Sequence, residues 1–167
     1  MPTLEWTEAL SLDLPLMDDT HQEFVELLAK VRAAPDQDVV ASWSTLIDHT
    51  DEHFGREDAW MLQTHFASSN CHTVQHKVIL KVMREGLVAG QAGNLGLLRQ
   101  MARELGVWFP QHAQSMDAAL ALHLRRTGFD PVTGIVHAPD ALPQDFIHGC
   151  GGSSCSDSAT AREAQSA

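Results

Sequence analysis

Two short stretches, His53-Phe54-Gly55-Arg56-Glu57 and His72-Thr73-Val74-Gln75-His76, each carry a pair of side chains that can bind metal. The members of each pair are four residues apart, which places them on one face of an α-helix, one above the other. Two such helices packed face to face would direct three imidazoles and one carboxylate into a single pocket. His21, His112 and Asp117 lie on flanking segments and can complete it. Because these donors exceed what one ion needs, the pattern predicts a two-metal site inside a helical bundle.

The second predicted helix, about residues 39–62, indicates that this site is buried. Its seam residues recur at alternating intervals of three and four, as in a helical bundle. They are Trp43, Leu46, Thr50, His53, Glu57 and Trp60. An ionised carboxylate on that seam is costly unless it is paired or bound to metal. An isolated core histidine is usually only hydrogen-bonded, but donors in register with several apolar stripes favour a metal site.

Three further helices follow from apolar spacing and helix-breaking residues. The first begins after an N-cap at Asp18 or Asp19 and ends before Pro35, and Asp38 can cap the second. The third runs from a cap at Asn70 to about residue 89, and the fourth spans about 95–126. The predicted inner faces are His21, Phe24, Leu28 and Val31; His72, His76, Ile79, Met83 and Leu87; and Leu98, Met101, Leu105, Trp108, His112 and Leu120. Short turns between the helices predict an all-α, up-down-up-down antiparallel four-helix bundle.

The fourth helix contains one irregularity in its spacing. His112 and Asp117 are five residues apart, which is about 140° around an ideal helix. The two side chains can reach the same metal centre in only two ways. They approach it from different sides, or the helix widens locally as in a π-bulge. Pro110 also removes a backbone hydrogen bond and kinks a helix. The sequence therefore predicts a distorted fourth helix beside the site.

The two ends of the chain depart from the helical pattern. Residues 1–16 carry apolar residues at even spacing, interrupted by prolines, which predicts an extended N-terminal arm lying over the core. From Phe129 onward Gly, Pro, Ser and Asp dominate, so we expect residues 129–167 to form an irregular, largely disordered C-terminal extension. The predicted bundle domain is then 1–128.

The bulk composition excludes several classes of partner. The formal net charge is −11, and no basic stripe is present to meet nucleic acid or an anionic membrane. No apolar run is long enough for a spanning helix, and no secretory signal is recognisable, so we expect a cytoplasmic protein that is a monomer or a weak oligomer. Three cysteines in that setting suggest reduced thiols. Cys71 is expected to be a small apolar residue, whereas Cys150 and Cys155 give only a weak metal or redox signal.

Taken together, these motifs resemble the hemerythrins, in particular the single-domain bacterial kind called bacteriohemerythrins. The matching residues are Trp6, Asp18-Asp19-Thr20-His21, His53 to Met61, His72 to His76, Trp108-Phe109-Pro110-Gln111-His112 and Asp117. The resemblance covers residues 1 to about 127 and fills all seven ligand positions. Pro110 departs from it, because an ordinary helix former is expected there, and Asp13 stands where glycine is frequent.

The resemblance implies a centre of two iron ions joined by an oxo or hydroxo bridge. His72, His76 and His112 would hold one iron, and His21 and His53 the other. Glu57 and Asp117 would bridge both ions. Dioxygen would then bind reversibly at the iron with two histidines, for storage, delivery or sensing, without a net catalysed reaction.

Other functions remain open at this stage. A diiron enzyme, such as an oxidase or peroxidase or a protein handling nitric oxide, can use the same ligands, although no Glu lies three residues before any His as in ferritin-like oxidases. A sensory module for an unknown protein partner is a further possibility. A zinc protein is disfavoured, because seven ligands overfill a tetrahedral site.

The remaining five histidines are predicted to lie outside the metal site. His49, one turn before His53, is expected to be a hydrogen-bonded core residue. The others lack partners at ligand spacing and are expected on the surface or in loops: His65, His123, His137 and His148.

Overall fold

The computed structural model, which describes residues 4–66 and 71–147, is an antiparallel four-helix bundle. The helices are α1 (Pro15–Ala33), α2 (Val39–Gln63), α3 (Cys71–Gln91), α4 (Leu95–His112) and α5 (Ala118–Arg126), and a π-helical segment, Ala113–Asp117, joins α4 to α5. Helix α1 packs against α2, α2 against α3 and α3 against α4, and α1 also packs against α4. The predicted all-α, up-down-up-down fold is therefore confirmed.

Apolar side chains form two separate clusters along the bundle. The larger cluster includes Phe24 of α1, Trp43 of α2 and Phe109 of α4. The smaller one includes Met17 of α1 and Trp60 of α2. On both helices the predicted site residues fall between the members of the two clusters, so the fold places a polar layer between two apolar ones.

The inner faces agree with the predicted periodicity on α1 and α2 and are rotated slightly on α3 and α4. All six seam residues of α2 are buried. On α3, Leu80 is buried while the predicted Ile79 is only half-buried. On α4, Phe109 rather than Trp108 enters the core, because its ring stacks on Phe24 with centroids 4.5 Å apart. A 3.6-residue repeat permits either neighbour, and tertiary packing decides between them.

The first helix starts earlier than predicted. It begins at Pro15, where the missing N–H and the fixed φ of proline suit the first helical position. Asp18 therefore lies inside the helix, and its carboxylate accepts hydrogen bonds from Ser11 Oγ at 2.8 Å and from the Leu12 N–H at 2.7 Å. These bonds fasten the N-terminal arm, which is extended apart from a 3₁₀ turn at Glu8–Leu10.

The predicted caps of the other helices have different outcomes. Asp38 does precede α2, but its side chain makes no capping hydrogen bond. Asn94, which was not among the predicted caps, does cap α4, because its side-chain oxygen accepts the Leu97 N–H at 3.3 Å. The proposed cap Asn70 lies outside the described residues.

The predicted distortion of the fourth helix is confirmed as the π-helical segment. A π turn pairs residues five apart, so it brings His112 and Asp117 back onto one face. The Ser115 hydroxyl donates to the Gln111 carbonyl at 2.6 Å, a side-chain bond of the kind that bends helices. Pro110 is accommodated within α4 two residues before His112.

The described part of the C-terminal extension, residues 129–147, is irregular and packs on the end of the bundle. Gly128 ends α5 with φ +58°, and the Phe129 N–H bonds back to the Leu124 carbonyl at 2.9 Å, which is a Schellman termination. Phe129 is buried in the smaller cluster. The boundary at residue 128 remains a prediction, and the expected disorder of the last twenty residues falls outside the described chain.

No helix in the described part of the chain combines the length and apolar character required to cross a bilayer.

We predict that Gly128→Ala lowers the free energy of unfolding by about 1–2 kcal/mol, the cost of placing an L-residue in the left-handed region. The added Cβ would also lie 3.1 Å from the His137 Cβ. Gly96→Ala is the matched control, because its Cβ meets nothing closer than 3.9 Å and α4 gains a better helix former. Urea unfolding measures both, and a Gly128 variant as stable as the Gly96 variant would contradict this termination.

Candidate metal centre

The seven predicted site residues come together in the polar layer between the two apolar clusters. His21 comes from α1, His53 and Glu57 from α2, His72 and His76 from α3, His112 from the end of α4, and Asp117 from the π-helical segment. Each is at most 2% exposed. The structure thus gathers all seven side chains in one place, and their role as metal ligands remains a prediction.

The donor atoms form two overlapping groups, within each of which they lie no more than 4.8 Å apart. The three-histidine group contains Glu57, His72, His76, His112 and Asp117. The two-histidine group contains His21, His53, Glu57 and Asp117. Only the two carboxylates belong to both groups.

Glu57 directs one oxygen to each group. Its Oε1 lies 3.0 Å from His53 Nε2 and 3.7 Å from His21 Nε2, in the two-histidine group. Its Oε2 lies 3.5 Å and 3.4 Å from the Nε2 atoms of His72 and His76, in the three-histidine group. This is the orientation of a carboxylate that bridges two ions.

The two carboxylate oxygens of Asp117 are also directed to different groups. Its Oδ2 lies 3.2 Å from His21 Nε2, whereas its Oδ1 lies 2.9 Å from His72 Nε2 and 3.1 Å from His112 Nε2. Two donors bound at right angles to one ion, each about 2.1 Å from it, would lie about 3.0 Å apart. The nitrogen–oxygen spacings of the site are close to that value.

Many of these buried polar atoms have no hydrogen-bond partner among the described residues. They are His21 Nδ1 and Nε2, His53 Nδ1, Glu57 Oε2, His72 Nδ1 and Nε2, His76 Nε2, His112 Nε2 and both carboxylate oxygens of Asp117. Close nitrogen–oxygen pairs such as His72 Nε2 and Asp117 Oδ1 do not have hydrogen-bond geometry. Orphaned buried polar atoms are rare in native proteins, and bound cations would satisfy the Nε2 and carboxylate oxygen atoms, which face the centre; the Nδ1 atoms of His21, His53 and His72 point away from it. The donor set therefore fits metal ions.

The electrostatics of the cluster keep both carboxylates ionised. Burial by itself would raise the pKa of Glu57, but His53, which hydrogen-bonds it, and the nearby imidazoles of His21 and His72 hold that pKa well below its usual value. The pKa of Asp117 is also well below its usual value. Burial and the neighbouring Glu57 charge oppose this shift, but the close imidazoles of His112 and His21 outweigh them. Two negative charges in a dry interior require positive charge beside them.

The imidazoles respond to the carboxylates to different extents. Burial opposes protonation of His21 and His72, but the close, ionised carboxylates of Asp117 and Glu57 raise their pKa to about 10 and about 9. Burial lowers the pKa of His112, and its nearby Asp117 only partly offsets this. Because the pKa values of His21 and His72 are raised, metal binding at these two rings competes with protons.

Aromatic rings enclose the site and keep water away from it. Phe54 stacks on His76 with ring centroids 3.9 Å apart, and Trp108 stacks on His112 at 4.5 Å. Phe109 meets His21 edge-on at 5.2 Å.

Asp58 and Gln75 also belong to the site, and sequence reasoning missed both. His76 Nδ1 donates to Asp58 Oδ1 at 2.8 Å, and His112 Nδ1 donates to Gln75 Oε1 at 3.1 Å. Each follows or precedes a predicted ligand in the sequence, but adjacency along a helix does not show which way a side chain points. The one signal in the sequence that could have indicated Asp58 and Gln75 is that each is a polar residue next to a predicted, buried ligand.

The four described histidines that were predicted to lie outside the site, His49, His65, His123 and His137, do lie outside it. His49 Nε2 donates to the Thr20 carbonyl at 3.2 Å, as expected of a core histidine. His65 Nδ1 donates to the Pro143 carbonyl at 2.9 Å, and half-buried His123 donates to the Thr64 carbonyl at 2.8 Å. His65 lies in the turn after α2, in agreement with the prediction, and holds the extension at Pro143, whereas His123 fastens the C-terminal end of α2. His148 lies outside the described residues.

The expectation of reduced cysteines is wrong for Cys71, which takes part in a disulfide. Cys71 is the first residue of α3 and is half-buried. Cys150 and Cys155 lie outside the described residues.

Comparison with known proteins agrees with this geometry. The family model described as the hemerythrin HHE cation binding domain matches residues 12–122, a range that contains all seven site residues. A bacteriohemerythrin from Ralstonia nicotianae is 35% identical over 130 residues, covering 78% of this chain and 95% of the relative. A bacteriohemerythrin from Stenotrophomonas maltophilia is 25% identical over 125 residues, covering 72% of this chain and 81% of the relative. No solved structure gives a significant match. With its bundle, its buried donor cluster and these relatives, the chain belongs to the hemerythrin family.

Proposed function

We propose that the protein binds dioxygen reversibly at a centre of two iron ions, for storage, delivery or sensing. The proposal rests on the orientation of the Glu57 and Asp117 carboxylates. Each directs one oxygen to the three-histidine group and the other to the two-histidine group. A single ion would not need two carboxylates oriented in this way. The similarity to two bacteriohemerythrins supports iron as the metal and dioxygen as its ligand.

The two groups differ in the number of donors they supply. Glu57, Asp117 and three imidazoles give five donors to one ion, whereas the same carboxylates with His21 and His53 give four to the other. With an oxo or hydroxo bridge between them, the first ion would be six-coordinate and the second would keep one open position. When bound, two ferrous ions supply the two electrons that dioxygen takes up and returns on release.

The protein contributes fixed donors and a dry pocket. Buried imidazoles and carboxylates have little freedom to rearrange, so the same coordination is available before and after dioxygen binds. The ring of Phe109 meets His21 edge-on, and Phe24 stacks on Phe109, so these two rings cover the two-histidine side. Excluding water and protons from this side would slow irreversible oxidation of the iron.

We predict two iron ions per chain and an absorption band that appears in air and fades under argon. The band would arise from charge transfer between bound dioxygen and iron, and its cycling separates binding from turnover. Anaerobic iron loading, a metal count and optical spectra over several cycles measure it. Irreversible bleaching to the oxidised state would contradict reversible binding and favour the oxidase, peroxidase or nitric-oxide alternative.

We predict that Glu57→Ala reduces the iron content from two ions to one or fewer, because both groups lose a shared donor. It should also lower the midpoint of thermal unfolding, since ions that bind only the folded state stabilise it. Glu52→Ala is the matched control, with the same deletion on the exposed face of α2. Elemental analysis and thermal unfolding measure both variants, and full iron occupancy in the Glu57 variant would refute the bridging role.

A further inference from the structure

We propose that Asp58 and Gln75 are positioning residues that strengthen the three-histidine group, so that the protein takes up its two ions in order, the three-histidine position first. The proposal rests on the proposed two-metal function and extends it to how the centre assembles. It arises from an asymmetry in the hydrogen bonds behind the ligands.

The Nδ1 atoms of the five imidazoles, which point away from the centre, differ in their hydrogen bonds between the three-histidine group and the two-histidine group. In the three-histidine group, His76 Nδ1 donates to Asp58 at 2.8 Å and His112 Nδ1 donates to Gln75 at 3.1 Å. The Nδ1 atoms of His72, His21 and His53 are buried and have no hydrogen-bond partner among the described residues. The two-histidine group therefore has no support of this kind, whereas the three-histidine group has it at two of three rings.

A hydrogen bond at Nδ1 affects the atom that binds metal. An acceptor at Nδ1 holds the proton there, which leaves the Nε2 lone pair free and directed into the site. It also makes the ring a stronger donor, and a carboxylate acceptor does this more than an amide. The Nε2 atoms of His76 and His112 are indeed the ones that point at Glu57 and Asp117.

Stacked aromatic rings reinforce the same two imidazoles. Phe54 is nearly parallel to His76, with an interplanar angle of 7°, and Trp108 lies on His112 at 27°. Each ring is thus fixed by a hydrogen bond at its edge and an aromatic ring on its face. Ligands held in this way lose little conformational freedom when metal binds.

Asp58 makes this bond despite competing partners nearby. Its side chain is 35% exposed and lines a groove of about 400 Å³ together with His76, Lys77, Lys81 and Arg84. Among the described residues, none of these cations forms an ion pair with Asp58, and Arg84 pairs with Asp51 at 2.9 Å instead. A carboxylate with only a surface role would be expected to pair with these cations, so its contact with the buried ring indicates a role at the site.

The test is an anaerobic titration of the metal-free protein with cobalt(II), which is not oxidised in this assay, against a chelating indicator of known affinity. The wild-type protein should bind two ions in two resolved steps. Asp58→Ala should weaken the first step about 10- to 100-fold and leave the second unchanged. Gln75→Ala should weaken the same step by less, and Asp58→Asn, which keeps an acceptor oxygen, should recover part of the loss.

Two controls separate positioning from a general structural effect. Asp51→Ala removes a carboxylate from the same helix and groove without touching an imidazole, and should leave both steps intact. His53→Ala should remove the second step and preserve the first. Thermal unfolding of each metal-free variant shows whether the bundle is retained.

The inference is overturned if Asp58→Ala leaves the first step unchanged or weakens both steps equally in a folded protein. A wild-type protein that binds fewer than two ions would overturn the proposed diiron function as well. Two ions with unchanged steps in the variants would overturn the ordered loading alone.

Discussion

The burial of two ionised carboxylates in the middle of a helical bundle is the constraint on which the rest of the structure depends. Glu57 and Asp117 have no exposed surface, and an uncompensated charge in such a place costs several kcal/mol. Five imidazoles converge on them from four different segments of the chain. The helices must therefore keep a fixed register, because a shift of one residue on any of them would remove its donors from the layer.

The two apolar clusters explain how the bundle tolerates that layer. Phe24, Trp43 and Phe109 pack on one side of it, and Met17 and Trp60 pack on the other. Hydrophobic burial on both sides supplies the stability that the polar layer does not provide without metal. Phe109, a member of the larger cluster, also meets the ring of His21 and so limits the access of water to the donors.

The sequence predicted the parts of this arrangement that follow from helical periodicity. The seam of α2 placed Glu57 inside, and the five-residue spacing of His112 and Asp117 predicted a widened helix, found as the π-helical segment. The predicted start of α1 was wrong. Asp18 is a residue type that often caps helices, but here it lies inside α1 and its carboxylate binds the N-terminal arm. Asp58 was missed because its contact with His76 depends on how α2 and α3 are rotated against each other, which only tertiary packing decides.

In the proposed centre, the three-histidine group and the two-histidine group each hold one iron ion and share the carboxylates of Glu57 and Asp117. Anomalous diffraction at the iron absorption edge, measured on crystals of the iron-loaded protein, tests it most directly. We expect two peaks per chain, one beside His72, His76 and His112 and the other beside His21 and His53, with both peaks in bonding distance of Glu57 and Asp117. A single peak, or two peaks that do not share these carboxylates, would contradict it.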